Sequence, residues 1–234
     1  SIISTITAAI FALSGILGLK QDIEQSMNSE MVATDLENND IKTLDIEIAF
    51  TNLTIKTGKN LKIETDNNNI NYKHENQKLE IKEKNKKWFV NYVEKELILY
   101  LPKDIELEKV KISTGAGKID IETLKTEKLS FELGAGETEI QNLNVSKECE
   151  IDGGAGKLSI LDGTINDLDL DMGVGEVNLT SNLTGKNEIN AGVGSLNINL
   201  QGEKESYKIQ VDKGLGSIKI DGKEISDEEV FGDG

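Results

Sequence analysis

The chain has 234 residues, 42 of them acidic and 26 basic, for a net charge of −16. No arginine is present, and a surface this acidic excludes a nucleic-acid binder, which needs a dense cationic face for phosphate. A single cysteine, Cys149, excludes an internal disulfide framework, and the length allows one elongated domain or a domain with a stalk.

Ile2 through Leu19 carries no charge and is rich in Ile, Ala, Leu and small hydroxyl residues. A run of that length is enough to cross a hydrocarbon core as a helix. The expectation is an N-terminal apolar helix over residues 1–19 acting as a single-pass transmembrane anchor. The apolar core of a cleaved signal peptide and a buried helix are the alternatives. An anchor puts the following domain outside the cell membrane; cleavage makes it secreted. Residues 20–40 are polar and acidic and read as a linker.

From Leu44 a period-two pattern begins: Leu44, Ile46, Ile48, then Leu53 and Ile55, then Leu61/Ile63, Ile70/Tyr72 and Leu79/Ile81. Alternation of this kind puts the apolar side chains on one face of a strand. Leu97 through Leu101 is a further strand, stopped by Pro102, the only proline. Residues 41–110 therefore read as an N-terminal β region that caps the end of the glycine-repeat segment.

Residues 111–222 hold that segment, the dominant feature of the chain. Gly-x-Gly recurs six times, at Gly115/Gly117, Gly134/Gly136, Gly154/Gly156, Gly173/Gly175, Gly192/Gly194 and Gly214/Gly216, with starts 19, 20, 19, 19 and 22 residues apart. Each copy is followed by two alternating inward positions: Ile119/Ile121, Thr138/Ile140, Leu158/Ile160, Val177/Leu179, Leu196/Ile198 and Ile218/Ile220. A second strand precedes each following copy, as in Leu129-Ser130-Phe131 and Leu168-Asp169-Leu170. Leu124, Leu143, Leu183 and Leu200 suggest a short third strand between them. Two or three strands in about 19 residues is too little for a strand–helix–strand unit, which takes about 30. It suits one rung of a solenoid whose copies bury their apolar faces on one another.

The predicted fold is therefore all-β: a single-chain parallel β-solenoid, or β-helix, of about 19–20 residues per rung, preceded by the N-terminal apolar helix. The glycines are predicted to be rung corners between short strands, where positive φ or close backbone approach is needed. Their small middle residues are expected to point inward. The row Lys118, Glu137, Lys157, Glu176 alternates in sign and supports the register. Residues 223–234 form a tail, and Gly232-Asp233-Gly234 reads as the start of one more, truncated rung.

The apolar leader, the early Ile46-to-Ile55 strand pair, the strand ending in Leu101-Pro102 and the repeated Gly-Ala-Gly or Gly-Val-Gly rungs resemble the bacterial "putative adhesin" family, a group with a domain of unknown function. The resemblance covers about residues 41–222. It implies an extracytoplasmic β-solenoid, often behind one membrane span and sometimes associated with envelope-stress systems, with no catalytic motif to transfer.

Conventional chemistry finds no foothold. His74 is the only histidine and lies in a polar stretch, so neither a zinc site nor a catalytic base is expected. Cys149 occupies an inward slot and reads as a core thiol. A dinucleotide loop would need a third glycine and a following helix, whereas strands follow here. Asp162, Asp167, Asp169 and Asp171 are close in sequence, and the last three share an outward face; a solvated polar face is preferred over a weak cation site. No catalytic, cofactor or metal residues are assigned. The expected function is a non-enzymatic, membrane-anchored surface binding module, with an unknown surface or envelope ligand as partner and the membrane contacted through residues 2–19. An envelope-stress regulatory module and a self-assembling scaffold are the alternatives. A polysaccharide lyase or hydrolase is the enzymatic one.

Overall fold

The computed structural model describes residues 30–36, 40–84, 94–203, 207–225 and 229–231. Thirteen strands form one sheet: β1 (Val32–Asp35), β2 (Thr43–Ile48), β3 (Asn52–Gly58), β4 (Lys62–Thr65), β5 (Ile70–Glu75), β6 (Lys78–Glu83), β7 (Glu96–Pro102), β8 (Leu107–Ile160), β9 (Gly163–Asn166), β10 (Leu168–Leu200), β11 (Tyr207–Ile220), β12 (Lys223–Ile225) and β13 (Glu229–Phe231). A straight strand of 54 residues, the length of β8, would span about 180 Å at roughly 3.3 Å per residue. Instead β8 turns a corner at each Gly-x-Gly and coils on itself, as does β10.

The coil has two long faces. On the first, residues ahead of each glycine corner stack in parallel: Leu44 and Ile46 of β2 lie beside Val110 and Ile112, Cys149 and Ile151 beside Leu168 and Leu170, and Asn187 and Ile189 beside Ile209 and Val211. On the second, residues after each corner do the same: Leu53 and Ile55 beside Ile119 and Ile121, Leu158 and Ile160 beside Val177 and Leu179, and Leu196 and Ile198 beside Ile218 and Ile220. A third, shorter face joins Leu143 and Val145 to β9 and β9 to Leu183. The apolar residues of these rows are buried, and with their neighbours they make one continuous core. Burying each such side chain contributes roughly 1.5–3 kcal/mol.

The wholly parallel solenoid needs correction. The sheet is mixed. β1 runs antiparallel to β4, β4 to β7 and β5 to β6 at one end, and β12 and β13 run antiparallel to β11 at the other. For β5–β6 and β11–β12 the reason lies in the connections. A parallel neighbour requires a crossover, whereas a two-residue turn can only fold a strand back antiparallel to itself. Asn76-Gln77 (φ 51° and 60°) and Asp221-Gly222 (φ 48° and 77°) are such turns. The N-terminal β region of residues 41–110 includes reversed strands of this kind, β4 and β5.

The expected N-terminal apolar helix has no counterpart among the described residues. The described residues contain no helix, and none that is long and apolar enough to cross a membrane. Residues 1–19, where the anchor is expected, lie outside the described residues, as do the terminal glycines Gly232 and Gly234.

On the two long faces, Asn187 and Thr138 occupy inward slots. Asn187 is fully buried; its Oδ1 accepts the Leu168 N–H at 3.0 Å and its amide donates to the Gly185 and Lys208 carbonyls at 3.2 and 3.3 Å. It replaces backbone partners beside Gly185, which turns with φ 71°. Thr138 takes the other slot and is also buried.

Candidate binding surface

The glycine corners join the first face to the second, but they do not separate one strand from the next. Gly173, Gly175, Gly192 and Gly194 all lie inside β10, and Gly115 through Gly156 inside β8. Parallel pairing runs on through the bend, with Gly175 beside Gly156 and Gly194 beside Gly216. Pairing skips only the first glycine of each copy and resumes at the next residue, so no unpaired loop is needed there.

The second glycine of each pair, namely Gly117, Gly136, Gly156, Gly175, Gly194 and Gly216, has φ between 136° and 148°, a region closed to other residues. It also lies against the preceding rung. A Cβ at Gly175 would overlap the Gly156 oxygen, and one at Gly194 the Gly175 oxygen. The first glycine of each pair lacks that φ but is held equally close: a Cβ at Gly134 would overlap the Gly115 oxygen, and one at Gly214 the Gly192 oxygen. Gly154 and Gly173 continue this column. The twelve glycines thus form two backbone columns in which each rung sits on the last.

The middle residues point outward, contrary to expectation. Val174, Val193 and Leu215 are 54%, 48% and 76% exposed, and Ala135 and Ala155 are exposed beside them. The two glycine columns fill the inside of the corner with main chain, leaving no room for a side chain there. The result is an apolar ridge along the corner that grows from alanine to valine to leucine.

Sequence reasoning missed one corner altogether. Ala49-Phe50-Thr51 turns from β2 to β3 without a glycine. The Ala49 carbonyl accepts the Ala116 N–H at 2.7 Å, and Asn52 Oδ1 accepts the Lys118 N–H at 2.9 Å. The Glu83 carboxylate holds this corner, accepting the Ala49 and Phe50 N–H groups at 2.6 and 3.1 Å. Its signal is side-chain chemistry far away in sequence, which a repeat search does not see.

Beside the ridge, the first face carries an acidic ladder. Glu150 pairs with Asp169 and Asp152 with Asp171 on adjacent rungs, and Glu188 continues the first row. Towards β2 the same face is charge-balanced, with Lys78–Asp45, Lys111–Glu132 and Lys128–Glu148 each at 2.7 Å. In the ladder, desolvation and the carboxylates of Asp171, Glu188 and Asp152 hold the Asp169 carboxyl above its ordinary value. Among the described residues, no three His, Cys, Asp or Glu groups are placed to hold a metal ion.

Like charges directly opposed in a sheet cost a few tenths to about 1 kcal/mol. Asp169→Asn is therefore expected to raise the urea midpoint at neutral pH and low salt, by an amount that shrinks at high salt as the repulsion is screened. The sign follows from linkage: with the folded-state value above the unfolded one, the penalty is present at neutral pH and is relieved as pH falls through the folded value. An unchanged or lower midpoint in the variant counts against the ladder as a strained feature.

Cys149 is fully buried, and burial pushes its thiol up, out of reach as a nucleophile. His74 lies on β5, the outermost strand of its end of the sheet, opposite Leu79. In the alternating row, Lys157 and Glu176 meet at 3.7 Å, while Lys118 pairs along its own strand with Asp120 at 3.0 Å.

No curated protein matches this sequence. The chain is similar in structure to a "putative cell adhesion protein" from Clostridium sporogenes, at 18% identity and a TM-score of 0.42, covering 82% of this chain and 98% of that one. It is similar to a "putative adhesin" from Bacteroides fragilis, at 14% identity, a TM-score of 0.42 and the same coverage. It is also similar to a "putative lipid binding protein" from Parabacteroides distasonis, at 17% identity and a TM-score of 0.35, covering 84% of this chain and 96% of that one. The family model described as Toastrack DUF4097 matches residues 41–228, most of the chain and the whole of its stacked sheet from β2 to β12, so this chain belongs to the Toastrack DUF4097 family.

Proposed function

We propose that this protein is a non-enzymatic, cell-surface binding module of the bacterial envelope. The observation that carries the reading is the corner between the two long faces. There a backbone fixed by twelve glycines displays an apolar ridge beside an unneutralised acidic ladder, at a regular rung spacing of roughly 4.8 Å. A rigid scaffold with repeated outward rows presents a ligand-sized surface without needing any moving part, and surface modules built from stacked repeats bind this way. The glycine columns serve as structural corners, and residues 41–110 as the cap that ends the stack.

Coating beads with the protein and measuring their retention on bacterial or host cell surfaces tests the reading. Retention above that of beads carrying an unrelated acidic protein is expected, with a loss when Val174 and Val193 are both replaced by Asp. Retention no better than the control, together with an altered envelope-stress response on deletion of the domain, would replace attachment by regulation.

A further inference from the structure

The apolar ridge and the acidic ladder stand side by side, and a groove of about 390 Å³ runs along the ladder side of the glycine corners. Its lining holds three carboxylates, Glu132, Asp152 and Asp171, with four glycines and no basic residue. Nearby lysines are already engaged: Lys111 by Glu132 and Lys128 by Glu148, each at 2.7 Å, and Lys157 by Glu176 at 3.7 Å. Glu150, Asp152, Asp169, Asp171 and Glu188 are exposed beside Val174 and Val193. We propose that this surface docks residues 85–93 of a second copy of the chain. The inference uses the same ridge as the surface-binding reading and goes beyond it by naming a self-contact.

Charge and hydropathy select the occupant. An apolar ridge beside unneutralised carboxylates matches a segment that carries both lysine and large apolar side chains. Residues 85–93 read Asn85-Lys86-Lys87-Trp88-Phe89-Val90-Asn91-Tyr92-Val93. The stretch has two lysines and no acidic residue, in a chain of net charge −16, and it holds the only tryptophan. Tryptophan and tyrosine are common anchors at protein–protein contacts.

Position excludes the segment's own ladder. Residues 85–93 lie outside the described residues, but both flanks are fixed. Glu83 accepts the Ala49 N–H at 2.6 Å, and the Asn52 amide donates to Glu96 at 3.0 Å, so the segment leaves and rejoins the sheet at the corner where the ridge begins. β6 lies six rungs from Val193 and Glu188. Six rungs is roughly 29 Å at about 4.8 Å per rung, whereas nine residues tethered at both ends reach out about 17 Å at roughly 3.4 Å per residue. A second copy is free of that tether. Two copies aligned antiparallel along their ridges place each segment against the other's ladder, and this isologous contact closes as a two-fold dimer. The midpoint falls at the Ala135 rung, whose small exposed side chain lets the two ridges approach.

Sedimentation velocity on the full chain in a mild nonionic detergent, with Trp88 emission read on the same samples, tests the contact. A dimer with a Kd on the order of 10–100 µM is expected, with the emission moving to shorter wavelength as concentration rises. Lys86→Glu combined with Lys87→Glu is expected to weaken dimerisation by about tenfold or more, and Val174→Asp combined with Val193→Asp to do the same. A mixture of the two variants is expected to recover dimer, since it brings an intact segment to an intact ridge. Raising salt from about 0.05 to 0.5 M is expected to weaken the wild-type dimer. A monomer up to about 1 mM overturns the proposal. So does association that both variants leave unchanged, or a dimer that the valine variant loses while the lysine variant keeps it with Trp88 emission unmoved. Bead retention separates the two readings: retention without a dimer defeats this inference alone, and a dimer without retention defeats the surface reading alone.

Discussion

Gly156→Ala is expected to cost about 3 kcal/mol or more and to shift the urea midpoint of the whole stack. Two effects combine. The backbone there has φ 138°, which by itself costs of order 1–3 kcal/mol for a residue with a side chain. The new Cβ would also overlap the Gly136 carbonyl oxygen of the rung below. That oxygen belongs to rigid main chain, so the overlap is relieved only by separating rungs that are held roughly 4.8 Å apart by the ladder. The neighbouring residue provides the contrast. Ala155 is exposed, and the equivalent slots on later rungs already hold Val174 and Val193. Ala155→Val is accordingly expected to change stability by under about 0.5 kcal/mol. Equal effects of the two substitutions in equilibrium urea unfolding would show that the corner is not rigid.

Phe131→Ala is the second large effect, at about 3–5 kcal/mol. Phe131 is the largest of the fully buried core side chains among the described residues. The rung period places it between Ile112 and Ile151, both also buried in the first face. Truncation leaves a void that a stack cannot close. The side chains above and below are tied to their own rungs, and the facing sheet is tied through the glycine corners. The expected signature is a lower urea midpoint with the slope retained, as for a change in stability without a change in the surface exposed. A lower slope would mean instead that the stack unfolds in parts, which repeat architectures permit when one interface between rungs is weakened. A loss below about 1 kcal/mol would mean that the interior repacks around the missing ring.

Much of the core was legible in advance because strand periodicity is a local property. Each Leu-x-Leu or Ile-x-Ile pair declares which side of its strand is inside, and the recurrence of Gly-x-Gly declares which pairs are equivalent. Leu158/Ile160 and Val177/Leu179 needed no more than counting to be set beside each other. The candidate surface was less legible. The outward aim of Val174, Val193 and Leu215 depends on main chain from two rungs filling the corner, and neither rung alone contains that information. The Ala49-Phe50-Thr51 corner escaped notice because Glu83, from another strand, holds it in place of a glycine.

The repeat length, the inward columns and the acidic outward row can be read from the chain alone, since each follows from side-chain alternation over a few residues. The direction in which the ends of the sheet run and the side chains that the corners display emerge from folding. These depend on what lies across a turn or on the next rung, and no alternation along one strand records its neighbour.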